Sequence, residues 1–185
     1  SAEVADGVIS LKSHDNYTFE HSIEVTVVGV LLAKRLHLPL DFIRQLALGC
    51  VLHDIGKLLV PSEILNKPGR LTVEEFAPIK QHPQTGYETV RELVPAEEAL
   101  LSRHVVWQHH ERQDGTGSPR GLRGYSRVVR PWIHRFEPER LLLAGEIAAV
   151  ADVYSALASD RPYRLAMQPP EIVACIERGH RVAVP

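Results

Sequence analysis

Apolar residues recur at three- and four-residue intervals from Phe19 through Leu36, at Ile23, Val27, Val30 and Leu31, before Leu38-Pro39-Leu40 interrupts the pattern. That spacing predicts an amphipathic helix with those side chains as its apolar stripe. A second helix is predicted from Asp41, an expected N-cap, through Ile43, Leu46, Ala47, Cys50 and Val51 to His53-Asp54, where Gly56 weakens it. Turn formers at Pro61-Ser62-Glu63 and Lys67-Pro68-Gly69-Arg70 flank a short segment. Thr72 to Glu75 then reads as a capping box opening a further helix, which Pro78 is expected to disturb or end. Residues 87–93 and 95–108 are predicted helical, the latter carrying Ala99, Leu100, Val105 and Val106 toward His109-His110. Residues 114–119, Asp-Gly-Thr-Gly-Ser-Pro, are too rich in turn formers to be anything but a loop. A long, irregular, arginine-rich excursion over 120–140 follows, in which 127–132 could pair as a short ribbon. An apolar helix over 141–157 and a last one over 171–178, introduced by Pro169-Pro170, complete the chain. With no strand well supported, the expected fold class is all-α.

At 185 residues the chain is expected to form one domain, 1–185, with a substantial core. Its opening ten residues lack the basic region and apolar stretch of a signal peptide. They read as the tail of a helix or linker, so the chain is expected to be excised from a longer protein with an upstream regulatory domain. The net charge of −2 excludes the overall positive field that duplex binding uses, so no DNA partner is expected and any anionic ligand must meet local positive charge. Cys50 and Cys175 lack the spacing of a disulfide framework or a thiolate zinc site, which fits a reducing cytoplasm. The longest apolar run, 25–33, is broken by Thr26 and Gly29 and is too short to span a bilayer.

Histidine is abundant at ten residues, and five fall in local patterns: His21, His53 beside Asp54, His82 before Pro83, and His109-His110. Asp152 lies in an otherwise apolar helix, where an unpartnered carboxylate costs several kcal/mol and calls for a cation. Five imidazoles and two carboxylates are more donors than one divalent ion uses, so two ions fit better, with Asp54 able to bridge them. Such a pair can activate a water and stabilise in-line displacement at phosphorus. Lys57, three residues after Asp54, could point its ammonium at a phosphate, and Arg161 and Arg164 suit bidentate phosphate contact.

Four motifs occur in order: His53-Asp54-Ile55-Gly56-Lys57; His82-Pro83-x-x-Gly86; His109-His110-Glu111-Arg112-x-Asp114-Gly115-x-Gly117; and Asp160-Arg161-Pro162-Tyr163-Arg164. Together they resemble the HD-GYP family over roughly residues 15–178. The resemblance implies an HD-type helical bundle with that family's C-terminal extension, and hydrolysis of cyclic di-GMP to pGpG or GMP. It further implies iron or manganese, with nickel or zinc also acceptable to such donors. It assigns His21, His53, Asp54 and Asp152 to one ion, and Asp54, His82, His109 and His110 to the second. Asp54 and Lys57 would act in catalysis, and Lys57, Arg161 and Arg164 would hold phosphates. Implied partners are GGDEF-type domains and an upstream sensor or receiver, with a homodimer left open.

Three departures stand out. Tyr17 occupies the position where three-ion members carry Glu, so two ions are expected. The signature tripeptide reads Gly117-Ser118-Pro119, with Ser for Tyr. Ser155 replaces the Asp of the family's V-Y-D-A-L stretch, and 124–140 reads as an insertion. Ser118 and Ser155 motivate an alternative, a receptor or interaction module that binds cyclic di-GMP without turnover. A further alternative is an HD-type hydrolase of another nucleotide.

Plainer roles stand beside these. His14, His37, His104, His134 and His180 are expected to be packed or solvated, and Cys50 a small core residue. Lys57 could simply offset the negative end of its helix, and Arg161 and Arg164 could pair with Asp160 or Glu171. Glu111 and Asp114 could orient a ligating imidazole or merely brace the loop. The arginines of 120–140, without interleaved aromatics, read as a solvated or domain-contacting segment.

Overall fold

The computed structural model describes Ile9 and residues 16–124, 140–160 and 165–177. Over these residues the chain is helical, with no strand and two isolated backbone bridges, Asp114 to Arg123 and Arg123 to Arg140. The helices are α1 (Asn16–Arg35), α2 (Leu40–Leu52), α3 (Ser62–Leu65), α4 (Val73–Lys80), α5 (His82–Leu93), α6 (Ala96–Gln108), α7 (Leu143–Ala158) and α8 (Pro169–Glu177). A 3-10 helix, Ile55–Leu59, follows α2. No helix among the described residues is long and apolar enough to cross a membrane. The expected ribbon at 127–132 lies outside the described residues, as do Arg161 and Arg164.

Helix α1 forms where expected but with a different face inward. Its buried positions are Thr18, His21, Ser22, Val25, Gly29 and Ala33, whereas Ile23, Val27 and Leu31 are exposed. Small residues let α1 approach its neighbours closely, and this phase points His21 into the molecule; bulk alone does not reveal it. Helices α1, α2, α6 and α7 enclose one apolar cluster around Val25, Leu46, Cys50, Val105 and Ile147. A second cluster, with Leu52, Ile55, Val90 and Val106, seals α5 and α6 against the 3-10 helix. Cys50 is fully buried, and burial, followed by the charge of Asp152, pushes its thiol up to about 12. It is the core residue expected rather than a reactive thiol.

Several helix ends differ from expectation. Pro39, not Asp41, is the N-cap of α2, because its carbonyl already accepts Ile43 N–H at 3.0 Å; Asp41 sits in the first turn. The Thr72–Glu75 capping box forms in both directions, yet α4 continues through Pro78 to Lys80. The missing proline N–H costs a single intrahelical bond there. Helix α5 begins at His82 rather than Tyr87, because Pro83 lies in its first turn, where a pre-set φ favours the helix. Helix α6 breaks its regular geometry at Ala99 (φ −138°, ψ 20°). Helix α7 starts at Leu143 rather than Leu141, since Gln108 Oε1 takes the Leu142 N–H at 2.9 Å and holds that residue extended. Helix α8 starts at Pro169, two residues before the expected Glu171. Arg103, nearly buried, donates to the carbonyls of Arg91 and Val94 and so caps the end of α5.

Tyr87 stacks on Trp107 with ring centroids 4.3 Å apart, and His104 packs edge-on against Tyr87 at 5.8 Å. Burial, then Arg120 and Arg103, push the His104 imidazole down from 6.5 to about 4. Below pH 6.5 the unfolded chain therefore takes up a proton that the folded chain refuses. Stability should fall as pH drops from 6.5 to about 4, and His104→Phe should flatten that part of the profile in thermal melts. An unchanged slope in the variant would contradict the assignment.

Candidate metal centre

The site is assembled at helix ends. After Leu52 the backbone leaves α2, and Asp54 (φ −98°, ψ 7°) links it to the 3-10 helix, leaving both His53 and Asp54 buried. His82 opens α5, and His109 follows the last residue of α6. Asp152 lies in the middle of α7, and His21 in the second turn of α1.

Three of these histidines are steered in one way. Nδ1 of His53 lies 2.8 Å from Cys50 O, Nδ1 of His82 lies 2.6 Å from Ile79 O, and Nδ1 of His109 lies 2.8 Å from Val106 O. A carbonyl only accepts, so each Nδ1 carries a proton and donates it one turn back, which turns Nε2 inward. The inward atoms then meet one another. His82 Nε2 is 3.1 Å from His109 Nε2 and 3.1 Å from Asp54 Oδ1, and His53 Nε2 is 3.3 Å from Asp54 Oδ2. On the far side, His21 Nε2 is 2.9 Å from Asp152 Oδ1, and His110 Nδ1 is 3.8 Å from Asp152 Oδ2. Candidate donor atoms fall into two groups, His82 with His109 and His110, and His21 with His53 and Asp54, each within 4.8 Å. Asp54 reaches both, since its Oδ1 faces His82 while its Oδ2 faces His53.

The donor chemistry fits cations. Burial, then the neighbouring His110 and His53, hold His109 well below the ordinary imidazole value. Burial, helped by the charges of His82 and Lys57, pushes His110 down to about 4 against the pull of Asp152. Burial would raise Asp54, but His53 and Lys57 outweigh it and hold the carboxyl well below the usual range. Asp152 is likewise lowered: burial opposes, and His21 and His110 prevail. His53 is raised, because the charge of Asp54 overcomes burial. Imidazole nitrogens and ionised carboxylates thus meet in one buried space, the donor types that divalent cations bind.

Lys57 lies one turn beyond Asp54, with Nζ 2.7 Å from Asp54 Oδ2 and its side chain 18% exposed. It therefore faces the centre from the solvent edge. Glu111 is buried, and its two oxygens accept Arg120 N–H at 2.7 Å and Leu122 N–H at 2.8 Å. Asp114 accepts both Thr116 N–H and Thr116 hydroxyl. Of the two roles open to them, both acids brace the loop. Asp160 accepts Ala166 N–H, and Glu171 accepts Gln168 N–H. Two further side chains join the site without having been singled out as ligands: Ser155, whose Oγ is 3.0 Å from His21 Nδ1, and Glu24, whose Oε2 is 2.7 Å from Ser155 Oγ. The departure at 155 was the one sequence signal for this pair.

The chain matches the HD domain family over residues 18–157 and belongs to it. It is 41% identical over 158 residues to the cyclic di-GMP phosphodiesterase PA4108 of Pseudomonas aeruginosa, covering 85% of this chain and 34% of that protein. It is 36% identical over 170 residues to 3'3'-cGAMP-specific phosphodiesterase 1 of Vibrio cholerae, covering 90% and 34%. A cyclic di-GMP phosphodiesterase of Thermotoga maritima is 34% identical over 151 residues, covering 81% and 37%. The chain thus spans about a third of the length of these relatives. Among solved structures, the phosphodiesterase PgpH HD domain of L. monocytogenes in complex with cyclic-di-AMP superposes with a TM-score of 0.66 at 19% identity, covering 94% of this chain and 82% of that one. The all-helical HD fold expected from the motifs is therefore the fold observed.

Gly56 holds the two halves of the site together, since a Cβ there would overlap the His82 carbonyl oxygen and crowd Gly86 N at 2.7 Å. Gly56→Ala should force α5 outward, cost about 1–3 kcal/mol in urea unfolding, and weaken manganese uptake by equilibrium dialysis. Wild-type stability together with wild-type uptake would show that the close approach is dispensable.

Proposed function

We propose that this chain is the hydrolytic unit of a metal-dependent phosphodiesterase acting on cyclic di-GMP, yielding pGpG, GMP or both. The observation that carries the reading is the close approach of five imidazoles and two carboxylates from α1, from just past the ends of α2 and α6, from the start of α5 and from the middle of α7. Sequence likeness to cyclic di-GMP phosphodiesterases supports the substrate. His21, His53, Asp54 and Asp152 would hold one ion, and His82, His109 and His110 the other, with Asp54 between them; iron or manganese suits this donor set. When bound, the ions supply a water acidified toward neutral pH and positive charge for the phosphoryl oxygens.

The remaining work falls to the chain's own side chains. The backbone carbonyls of Cys50, Ile79 and Val106 keep the imidazoles in one tautomer, so the pocket needs little reorganisation when the diester arrives. Lys57 spends one N–H on Asp54 and has two more to offer a phosphate oxygen from the pocket's edge. Arg161 and Arg164, outside the described residues, complete the proposed phosphate clamp in this reading. GGDEF-type domains and an upstream sensor or receiver remain the proposed partners of the longer protein.

A second substrate, 3'3'-cGAMP, is favoured by one observation: a phosphodiesterase named for it is 36% identical over 90% of this chain. Chromatography of manganese-loaded protein incubated with both dinucleotides decides. Appearance of pGpG supports the first reading and loss of cGAMP alone the second, while saturable binding without product would make the chain a receptor.

Asp54→Ala should lose bound manganese by elemental analysis and reduce turnover to background, because Asp54 touches both donor groups. Full activity in that variant would refute the proposal. Lys57→Ala should instead keep its metal and raise KM at least about tenfold, the loss of one charge-assisted phosphate contact.

A further inference from the structure

His21 is held from behind by side chains. Its Nδ1 lies 3.0 Å from Ser155 Oγ, and Ser155 Oγ lies 2.7 Å from Glu24 Oε2. A serine hydroxyl has one proton, and an ionised carboxylate only accepts. The Ser155 proton therefore goes to Glu24, and Ser155 Oγ is left to accept the Nδ1–H of His21. Direction is thus imposed along the whole chain of bonds, from imidazole through hydroxyl to carboxylate. The ring is thereby turned so that Nε2 faces Asp152 Oδ1 at 2.9 Å. Ser159 Oγ lies 3.0 Å from both the same Glu24 oxygen and Ser155 O, so its one proton is shared between them.

The placement is reciprocal. Glu24 lies one turn beyond His21 on α1, and Ser155 lies one turn beyond Asp152 on α7. Each helix thus carries one candidate ligand and one member of the relay, so the bonds that set the imidazole also fix the packing of α1 on α7. Ser155 is buried, whereas Glu24 reaches in from the exposed face of α1. A buried hydroxyl is neutral and brings no second negative charge beside Asp152. The carboxylate that polarises the imidazole sits farther out, where water shares its solvation.

We infer that Glu24, acting through Ser155, is a positioning residue that fixes His21 as the Nδ1–H tautomer and so prepares Nε2 to bind metal. The inference rests on the metal role proposed above for His21 and Asp152. Neither Glu24 nor Ser155 touches the metal or the substrate in this reading. Their effect should therefore appear in metal affinity and in the state of the imidazole.

The test is ring-nitrogen NMR of histidine-labelled protein, metal-free and zinc-loaded, combined with equilibrium dialysis against manganese alone. In the wild type, His21 should carry its proton on Nδ1 in both states. Ser155→Ala should speed solvent exchange of that proton at least about tenfold and raise the manganese Kd of one of the two ions about 10- to 100-fold. Glu24→Gln, whose amide oxygen can still accept, should weaken that ion only about two- to fivefold. Adding Ser155→Asp to Glu24→Gln returns a carboxylate directly to Nδ1 and should restore most of the affinity, a rescue that a purely structural role does not predict. Wild-type manganese affinity and wild-type exchange in Ser155→Ala would overturn the inference, as would a wild-type His21 protonated on Nε2 alone. Failure of the metal reading itself would show separately, as absence of manganese uptake by the wild-type chain. In that event a Ser155→Ala effect on the Nδ1 proton would support the relay and overturn its link to metal.

Discussion

Nitrogen lone pairs that face one another across a buried pocket govern this molecule. His82 and His109 point Nε2 at each other at 3.1 Å while both Nδ1 protons are committed to backbone carbonyls. Asp54 brings a carboxylate into the same space, where burial makes unbalanced charge expensive. Such a set of donors is chemically suited to a cation. The helical frame supplies the energy that holds it together, through the two apolar clusters on either side. Binding of cations there would add to the stability of the folded chain.

Helix termini do most of the positioning. A histidine at or just past a helix end has a carbonyl three residues back within reach of Nδ1, and this one local device recurs at His53, His82 and His109. It fixes tautomer and direction together. The mid-helix residues His21 and Asp152 have no comparable terminus and depend on contact between α1 and α7. Their neighbours Glu24 and Ser155 supply by side chain what backbone supplies elsewhere.

The candidate donor set could be read from the sequence because divalent-ion chemistry tolerates few residue types and places them in short, recognisable runs. His53-Asp54 at a helix end, His82 beside Pro83, and His109-His110 ahead of a turn-rich loop all lie where the motifs put them. Asp152 was legible for a different reason, as a carboxylate in the middle of a largely apolar helix. The phase of α1 was not: bulky Ile23, Val27 and Leu31 mark a stripe that proves exposed, and small Gly29 and Ala33 make the close contact instead. Periodicity weighs size, whereas packing here rewards smallness. Proline misled at opposite ends. Pro83 starts a helix that was expected to begin later, and Pro78 sits inside one it was expected to end. The bonds of Glu111 to the Arg120 and Leu122 amides depend on a loop path that no local pattern encodes.

Anomalous diffraction at the manganese edge, from crystals of the chain grown with that ion, tests the central claim most directly. The account predicts two peaks about 4 Å apart, one beside His82, His109 and His110 and one beside His21 and His53, with Asp54 between them. A pocket without anomalous density, its imidazole nitrogens still 3.1 Å apart, would contradict it.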